Sequence, residues 1–178
     1  MNLKGKKSEA NVKAAFAGES QARNKYTYYA EKARAEGLDE TADLFLKMAD
    51  NEKEHAKIWF KIMNGINDTD ENVQDAANGE NSEWQSMYPS FAKEAREEGL
   101  EMLAQMFEKV AGIEKTHEER FLKEFIKLKN SDENDSELTE RTVYRCAFCG
   151  YIHEIDGKAP PTVCPLCEAI GAFEKVVI

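Results

Sequence analysis

Apolar residues recur at helical spacing over most of the chain, in long stretches separated by brief polar breaks, and the pattern changes character only near the C-terminus. Ala10, Ala14, Ala17 and Tyr28 lie near a 3.6-residue period, which predicts a helix from about Ser8 to Glu36. Ser8 suits its N-cap and Gly37 its C-cap. Leu44, Met48, Ile58 and Ile62 predict a second helix from about Asp39 to Asn64, ended by Asn64-Gly65. The connection that follows, Ile66 to Asp70, is compact and polar, with Thr69 or Asp70 placed to cap the next element. A third helical region, about Glu71 to Glu98, is less regular. Asn78-Gly79 weakens it, and Pro89 removes a backbone donor from its interior, so a kink or irregular turn is expected there. Gly99 closes it, and a fourth helix spans about Leu100 to Lys129.

The acidic, polar segment Asn130 to Glu140 reads as a linker. Beyond it come short strand-like runs (Val143-Tyr144 and Phe173 to Ile178), turn residues and two Cys-x-x-Cys pairs. So few residues cannot build an adequate apolar core alone, so this module should be stapled by a metal. The expected organisation is a mainly α protein: a four-helix bundle over residues 1–138, then a small β metal-binding module over 139–178.

The helical part repeats itself. Ala30 to Leu38 aligns with Ala92 to Leu100 at an offset of 62 residues, and without a gap Glu52 and His55 meet Glu114 and His117. Upstream, Tyr26 meets Tyr88. The bundle therefore reads as two helical hairpins related by a pseudo-two-fold. Residues three apart share a helix face, so each Glu-x-x-His can aim a carboxylate and an imidazole at one spot, a donor set that suits iron, manganese or zinc. Glu19 lies 18 residues before Gly37 and Glu52 lies 15 after it, so the two reach nearly one height in an antiparallel pair. In the second hairpin Glu80 and Glu83 flank the strict equivalent of Glu19, which is Asn81, and so offer one carboxylate more than the minimal set. Two Glu-x-x-His pairs and a Glu from each of two further helices make the di-metal site of ferritin-like bundles.

One Glu-x-x-His alone would ordinarily be helix surface. Two in register, level with further Glu, are not explained that way, because unpaired buried carboxylates are costly. Glu31, Glu54, Glu94, Glu97, Glu118 and Glu119 read as solvated faces, Trp84 and Phe107 as packing, and His153 as a polar loop residue. Tyr26 and Tyr88 read either as core aromatics or as partners of the ligating carboxylates.

The net charge of −10 argues against nucleic-acid binding, which needs clustered Lys and Arg. No apolar run follows the basic N-terminus and none is long enough to span a bilayer, so a cytoplasmic protein is expected. In that setting Cys146, Cys149, Cys164 and Cys167 favour metal over disulfides. Four thiolates offer a tetrahedral site for structural zinc or for a single iron that passes electrons.

The chain resembles rubrerythrin over nearly its whole length. The resemblance rests on Ala15 to Asn24, Glu52-x-x-His55, Gly79-Glu80-x-x-Glu83, Met87 to Ala92, Glu114-x-x-His117-Glu118-x-Arg120-Phe121 and Tyr144-Arg145-Cys146-x-x-Cys149-Gly150-Tyr151. It implies a ferritin-like four-helix bundle followed by a rubredoxin-like module, acting as a non-haem di-iron peroxidase that reduces hydrogen peroxide to water. The di-iron ligands it implies are Glu19, Glu52, His55, Glu80, Glu83, Glu114 and His117, with Glu52 and Glu114 bridging and Glu83 and His55 exchanging on one iron. The four cysteines would hold one further iron, with zinc as a substitute. A homodimer is implied, as is a redox donor such as rubredoxin or an NAD(P)H-dependent reductase. The rival readings are a ferritin-like ferroxidase or oxygen reductase on the same ligands, and a non-catalytic bundle with a structural zinc ribbon.

Overall fold

The computed structural model describes residues 3–129, 142–154 and 159–177. The segment read as a linker, and Ile178 at the end of the last strand run, lie outside them. The chain divides into two compact units, Met1–Asn67 and Asp68–Ile178.

The first unit is a hairpin of α1 (Lys7–Ala35) and α2 (Asp39–Ile62). Its turn is set by Gly37 at φ +75°, where the Leu38 amide bonds back to Ala33 O at 2.9 Å and the Gly37 amide to Arg34 O at 3.0 Å. That pair of bonds satisfies carbonyls left over at the helix end. Arg34 then clamps the turn by pairing with Asp39 and Asp43. Ser8 does not cap α1 as expected. The helix begins a residue earlier, at Lys7, and the carboxylate of Glu9 accepts the Gly5 amide at 2.9 Å instead.

The second unit repeats the device. Gly99 has φ +79°, Leu100 bonds back to Ala95 O at 2.8 Å, and Arg96 pairs with Glu101 and Glu108. The buried cores match as well. Ala30, Ala33 and Ala42 pack with Phe45 in the first hairpin; Ala92, Ala95 and Ala104 pack with Phe107 in the second. Small residues at these positions let the helix axes approach closely.

The third helical region is α3 (Thr69–Ser82), one π-helical turn (Glu83–Met87) and α4 (Tyr88–Glu97), followed by α5 (Glu101–Lys129). The expected irregularity is present, and its form is specific. Pro89 stands in the first turn of α4, where its missing N–H costs least, and the wide turn before it takes up the register change. Asp68, rather than Thr69 or Asp70, occupies the N-cap of α3, without a side-chain cap bond.

The C-terminal sheet has the order β2-β1-β3, all antiparallel, with β1 Thr142–Cys146, β2 Ile152–Glu154 and β3 Phe173–Val177. The pattern of apolar residues missed β2, a strand of three residues. His153 lies in it, opposite Tyr144 and beside the Phe173 ring, and its Nε2 is buried, so it is not a loop residue. Val143, Cys146 and Cys164 are the largest fully buried side chains among the described residues. No described helix is long and apolar enough to cross a membrane.

Candidate metal centres

In the first hairpin, ligand atoms of Glu19, Glu52 and His55 lie within 4.8 Å of one another. Helical spacing brings Glu52 Oε2 to 2.7 Å from His55 Nδ1, and α1 supplies Glu19 from across the hairpin. In the second, Glu80, Glu114 and His117 converge in the same way, with Glu114 Oε2 2.7 Å and Glu80 Oε2 3.6 Å from His117 Nδ1. The equivalent of Glu19 is thus filled by Glu80, one residue before the strict repeat position, which Asn81 occupies. Each unit by itself holds a three-ligand half-site of two carboxylates and an imidazole.

The electrostatics of the second half-site call for a cation. Burial raises the Glu114 carboxyl above its usual range and His117 only partly offsets this, while Glu80 and Glu83 push it further up. Burial also raises the Tyr88 hydroxyl, and the charges of Glu83, Glu114 and Glu80 add to that. Glu83 stands outside the convergent trio, at the first residue of the π-helical turn, yet its charge is felt by both groups. Tyr88 and Tyr26 each pack beside the phenylalanine of their own hairpin, Tyr88 6.1 Å from Phe107 and Tyr26 6.2 Å from Phe45 between ring centroids.

Two residues read as bland in the sequence are tied to this turn. Glu118 is not a solvated face. Its carboxylate accepts Asn81 Nδ2 at 2.7 Å and Trp84 Nε1 at 2.5 Å, and both donors flank Glu83. Lys115 lies over the Trp84 ring at 5.3 Å. Glu118 falls one residue after His117, but its partners sit 34 and 37 residues away, so helical spacing carried no signal of it. Glu118→Ala would leave two part-buried donors without their acceptor. It should lower stability by about 1–3 kcal/mol, read as a fall in Tm, whereas Glu119→Ala on the exposed face of the same helix should change it by less than about 0.5 kcal/mol.

The four cysteines converge as predicted, again within 4.8 Å. Cys146 Sγ lies 3.7 Å from Cys167 Sγ, and Cys149 Sγ lies 3.7 Å from Cys164 Sγ. A tetrahedron with metal–sulfur bonds of about 2.3 Å has edges of about 3.8 Å, so the thiols stand where a metal would hold them and too far apart for a disulfide. Burial opposes ionisation of Cys146, but the amides of Cys149 and Phe148 outweigh it and bring its thiol down to about 7. Burial raises Cys149 instead, although the Tyr151 amide opposes it. Four crowded sulfurs cannot all ionise without a cation among them. The module meets α5: Lys109 Nζ donates to Pro165 O at 3.2 Å. Gly150, at φ +76°, leaves room where a β-carbon would lie 3.1 Å from Ile113 Cγ2 and 3.3 Å from His117 Nε2.

These features define a helical protein with two Glu/His half-sites of the di-iron carboxylate type and a rubredoxin-like four-thiolate site, and both donor sets fit iron. Comparison with known proteins agrees. The family's sequence model for rubrerythrin matches residues 10–125, and that for the rubrerythrin rubredoxin-like domain matches 144–173. Rubrerythrin-1 of Clostridium acetobutylicum is 44% identical over 194 aligned positions, covering 99% of this chain and 97% of that protein. Rubrerythrin of Nitratidesulfovibrio vulgaris is 43% identical, covering 93% and 92%. A solved structure of partially reduced nigerythrin is 30% identical, covers 94% of this chain and 85% of its own, and has a TM-score of 0.41. The chain belongs to the rubrerythrin family.

Proposed function

We propose that this protein is a cytoplasmic peroxidase that reduces hydrogen peroxide to two waters, taking two electrons and two protons per turnover. Residues 1–138 would form the catalytic bundle and 139–178 the electron-entry module. The observation that carries the reading is the pair of in-register Glu-x-x-His half-sites in a chain that also brings four thiols to metal-binding distance. Together the two donor sets would supply a two-electron site and a one-electron site.

Glu19, Glu52, His55, Glu80, Glu83, Glu114 and His117 would hold the dinuclear centre, with Glu52 and Glu114 bridging. Iron held by these residues would supply the two electrons that cleavage of the O–O bond requires. The carboxylates offset the charge that oxidation adds. Glu83, on the π-helical turn, would exchange with His55 as that charge changes, and such turns recur at functional sites. Tyr88 Oη keeps its proton at neutral pH, because burial and three nearby carboxylates oppose its loss, so it can donate a hydrogen bond beside the site. Tyr26 is its counterpart in the first hairpin. Cys146, Cys149, Cys164 and Cys167 would bind one iron, refilled by a donor such as rubredoxin or an NAD(P)H-dependent reductase.

The test is an anaerobic titration of the reduced, iron-loaded protein with hydrogen peroxide, following the absorption of both centres with metal analysis on the same sample. Fast oxidation of both, with repeated turnover on added reductant, is expected. Zinc in the four-cysteine site, or a reaction no faster than with oxygen, would move the assignment to an oxidase or a structural protein. Glu83→Ala should slow peroxide turnover by about 10- to 100-fold while most of the iron stays bound. Unchanged turnover would remove the exchange from the mechanism.

A further inference from the structure

We infer that Glu118 is a positioning residue for Glu83. Through Asn81 and Trp84 it holds the π-helical turn in its wide form, and so fixes the place from which the Glu83 carboxylate reaches the metal site. The inference rests on the di-iron reading above, in which Glu83 is a ligand that moves, and adds what sets its starting point.

The turn answers a difference in count. Tyr26 follows Glu19 by seven residues in the first hairpin, whereas Tyr88 follows Glu80 by eight in the second. At 3.6 residues per turn, one extra residue would rotate everything beyond it by about 100°. Yet both ends keep the same relations. Glu80 converges with Glu114 and His117 as Glu19 does with Glu52 and His55. Tyr88 stands 6.1 Å from Phe107, as Tyr26 stands 6.2 Å from Phe45. The turn Glu83–Met87 absorbs the difference, because a π-helical turn closes its hydrogen bonds over one residue more than an α-helical turn. Such turns are rare, and relaxing this one would swing Glu80 and Glu83 away from Tyr88 by that same angle.

A polar clasp lies across the turn, one residue out of step with the ligands. Asn81 and Trp84 follow Glu80 and Glu83, and Lys115 and Glu118 follow Glu114 and His117. Each pair is spaced by three, so it shares a helix face beside the ligand face. The two oxygens of Glu118 are used separately: Oε1 accepts Asn81 Nδ2 at 2.7 Å and Oε2 accepts Trp84 Nε1 at 2.5 Å. Asn81 belongs to α3 and Trp84 to the turn, so one carboxylate on α5 ties the regular helix to the wide turn on either side of Glu83. Lys115 covers the Trp84 ring at 5.3 Å and holds the indole from α5 as well.

The first hairpin is the natural contrast. Its α1 runs as α-helix from Lys7 to Ala35 without a wide turn. At the repeat positions of Lys115 and Glu118 it carries Lys53 and Ala56, and alanine offers no acceptor. One and four residues after Glu19 stand Ser20 and Arg23, which bond within α1, to Phe16 O at 2.7 Å and Asn24 Oδ1 at 3.0 Å. Clasp, wide turn and extra carboxylate therefore occur together, in one hairpin of the repeat. A role in packing alone gives no reason for that association.

The test breaks the clasp in the full-length protein. Trp84→Phe keeps a ring beneath Lys115 and removes the N–H donor. Glu118→Gln keeps the volume and leaves one oxygen where two are used. In the metal-free protein, amide exchange across residues 83–87 should quicken by about 5- to 150-fold in either variant, with helical ellipticity unchanged. Loaded with iron, each variant should keep most of its dinuclear metal and turn over peroxide about 10-fold more slowly. The reduction potential of the dinuclear centre should rise, because its oxidised form loses part of the carboxylate contact that favours it. On a Glu83→Ala background Trp84→Phe should alter turnover by less than about twofold and leave the potential where Glu83→Ala puts it. Exchange across 83–87 that matches the wild type would overturn the proposal. So would a full additional loss on the Glu83→Ala background, which would make the clasp a general support of the fold. A wild type that binds no dinuclear iron would refute the di-iron reading itself. Quickened exchange would then remain as a property of the fold, and the positioning role would be gone.

Discussion

Replacing Glu114 with glutamine should reduce peroxide turnover by more than about 100-fold and remove most of the dinuclear metal. Losing a hydrogen-bond partner of a metal ligand already costs about 10- to 100-fold in affinity or activity; on the proposed reading Glu114 is itself a ligand, so its loss should exceed that. The side chain is part-buried, 2.7 Å from His117 Nδ1 and close to Glu80. Glutamine keeps its volume and removes its charge, so the expected effect is on binding rather than packing. The same change should act in the opposite sense on the metal-free protein. Burial, with Glu80 and Glu83, raises the Glu114 carboxyl in the fold, so its ionised form is disfavoured there. The metal-free wild type therefore loses stability as pH rises from the unfolded carboxyl range through the raised folded value, and that loss persists at neutral pH. Without metal, Glu114→Gln should melt at or above the wild-type Tm at pH 7; with iron added, only the wild type should gain. A variant that melts well below metal-free wild type would show that Glu114 serves the fold rather than the metal.

The contrast between Glu114 and Glu118 shows what the sequence could and could not disclose. Glu114 was legible because it recurs: Glu-x-x-His at a fixed offset, level with Glu80 as Glu52 is with Glu19, leaves a trace in one dimension. The hairpins were legible for the same reason, since Gly37 and Gly99 mark equivalent turns and their alanine cores repeat. Glu118 carries no such trace. Its partners, Asn81 and Trp84, are set by how α3 lies on α5 and by a π-helical turn whose presence Pro89 suggests but whose type it does not fix. The strand around His153 is three residues long, too short for an alternation to show. The cysteine spacing announced a metal site, and only the geometry supplied the 3.7 Å edges that exclude disulfides.

Cys164→Ser should unfold the C-terminal module while leaving the helices intact. Cys164 is fully buried, and it shares its cluster with Cys146 and Ala172, flanked by partly buried Tyr151, Leu166 and Phe173. Two of the three buried members are thiols of the four-cysteine site, so a metal held there would stand where a larger domain would place apolar side chains. Structural four-ligand sites of this kind contribute on the order of 10 kcal/mol to folding, which exceeds what a core this small can supply. Serine is close in size but a poor ligand for a soft site, so the loss would come from the metal rather than from a cavity. The expected signs are disappearance of thiolate-to-metal absorption, collapse of amide protection across β1 and β3, and cleavage by protease within 142–177, with helical ellipticity nearly unchanged. Function should divide in the same way. A reduced dinuclear centre should still be oxidised by one equivalent of peroxide, while repeated turnover with an external donor stops. If the module instead stays protected without its metal, its apolar contacts suffice to fold it. Retained multiple turnover would mean that electrons enter the bundle by another route.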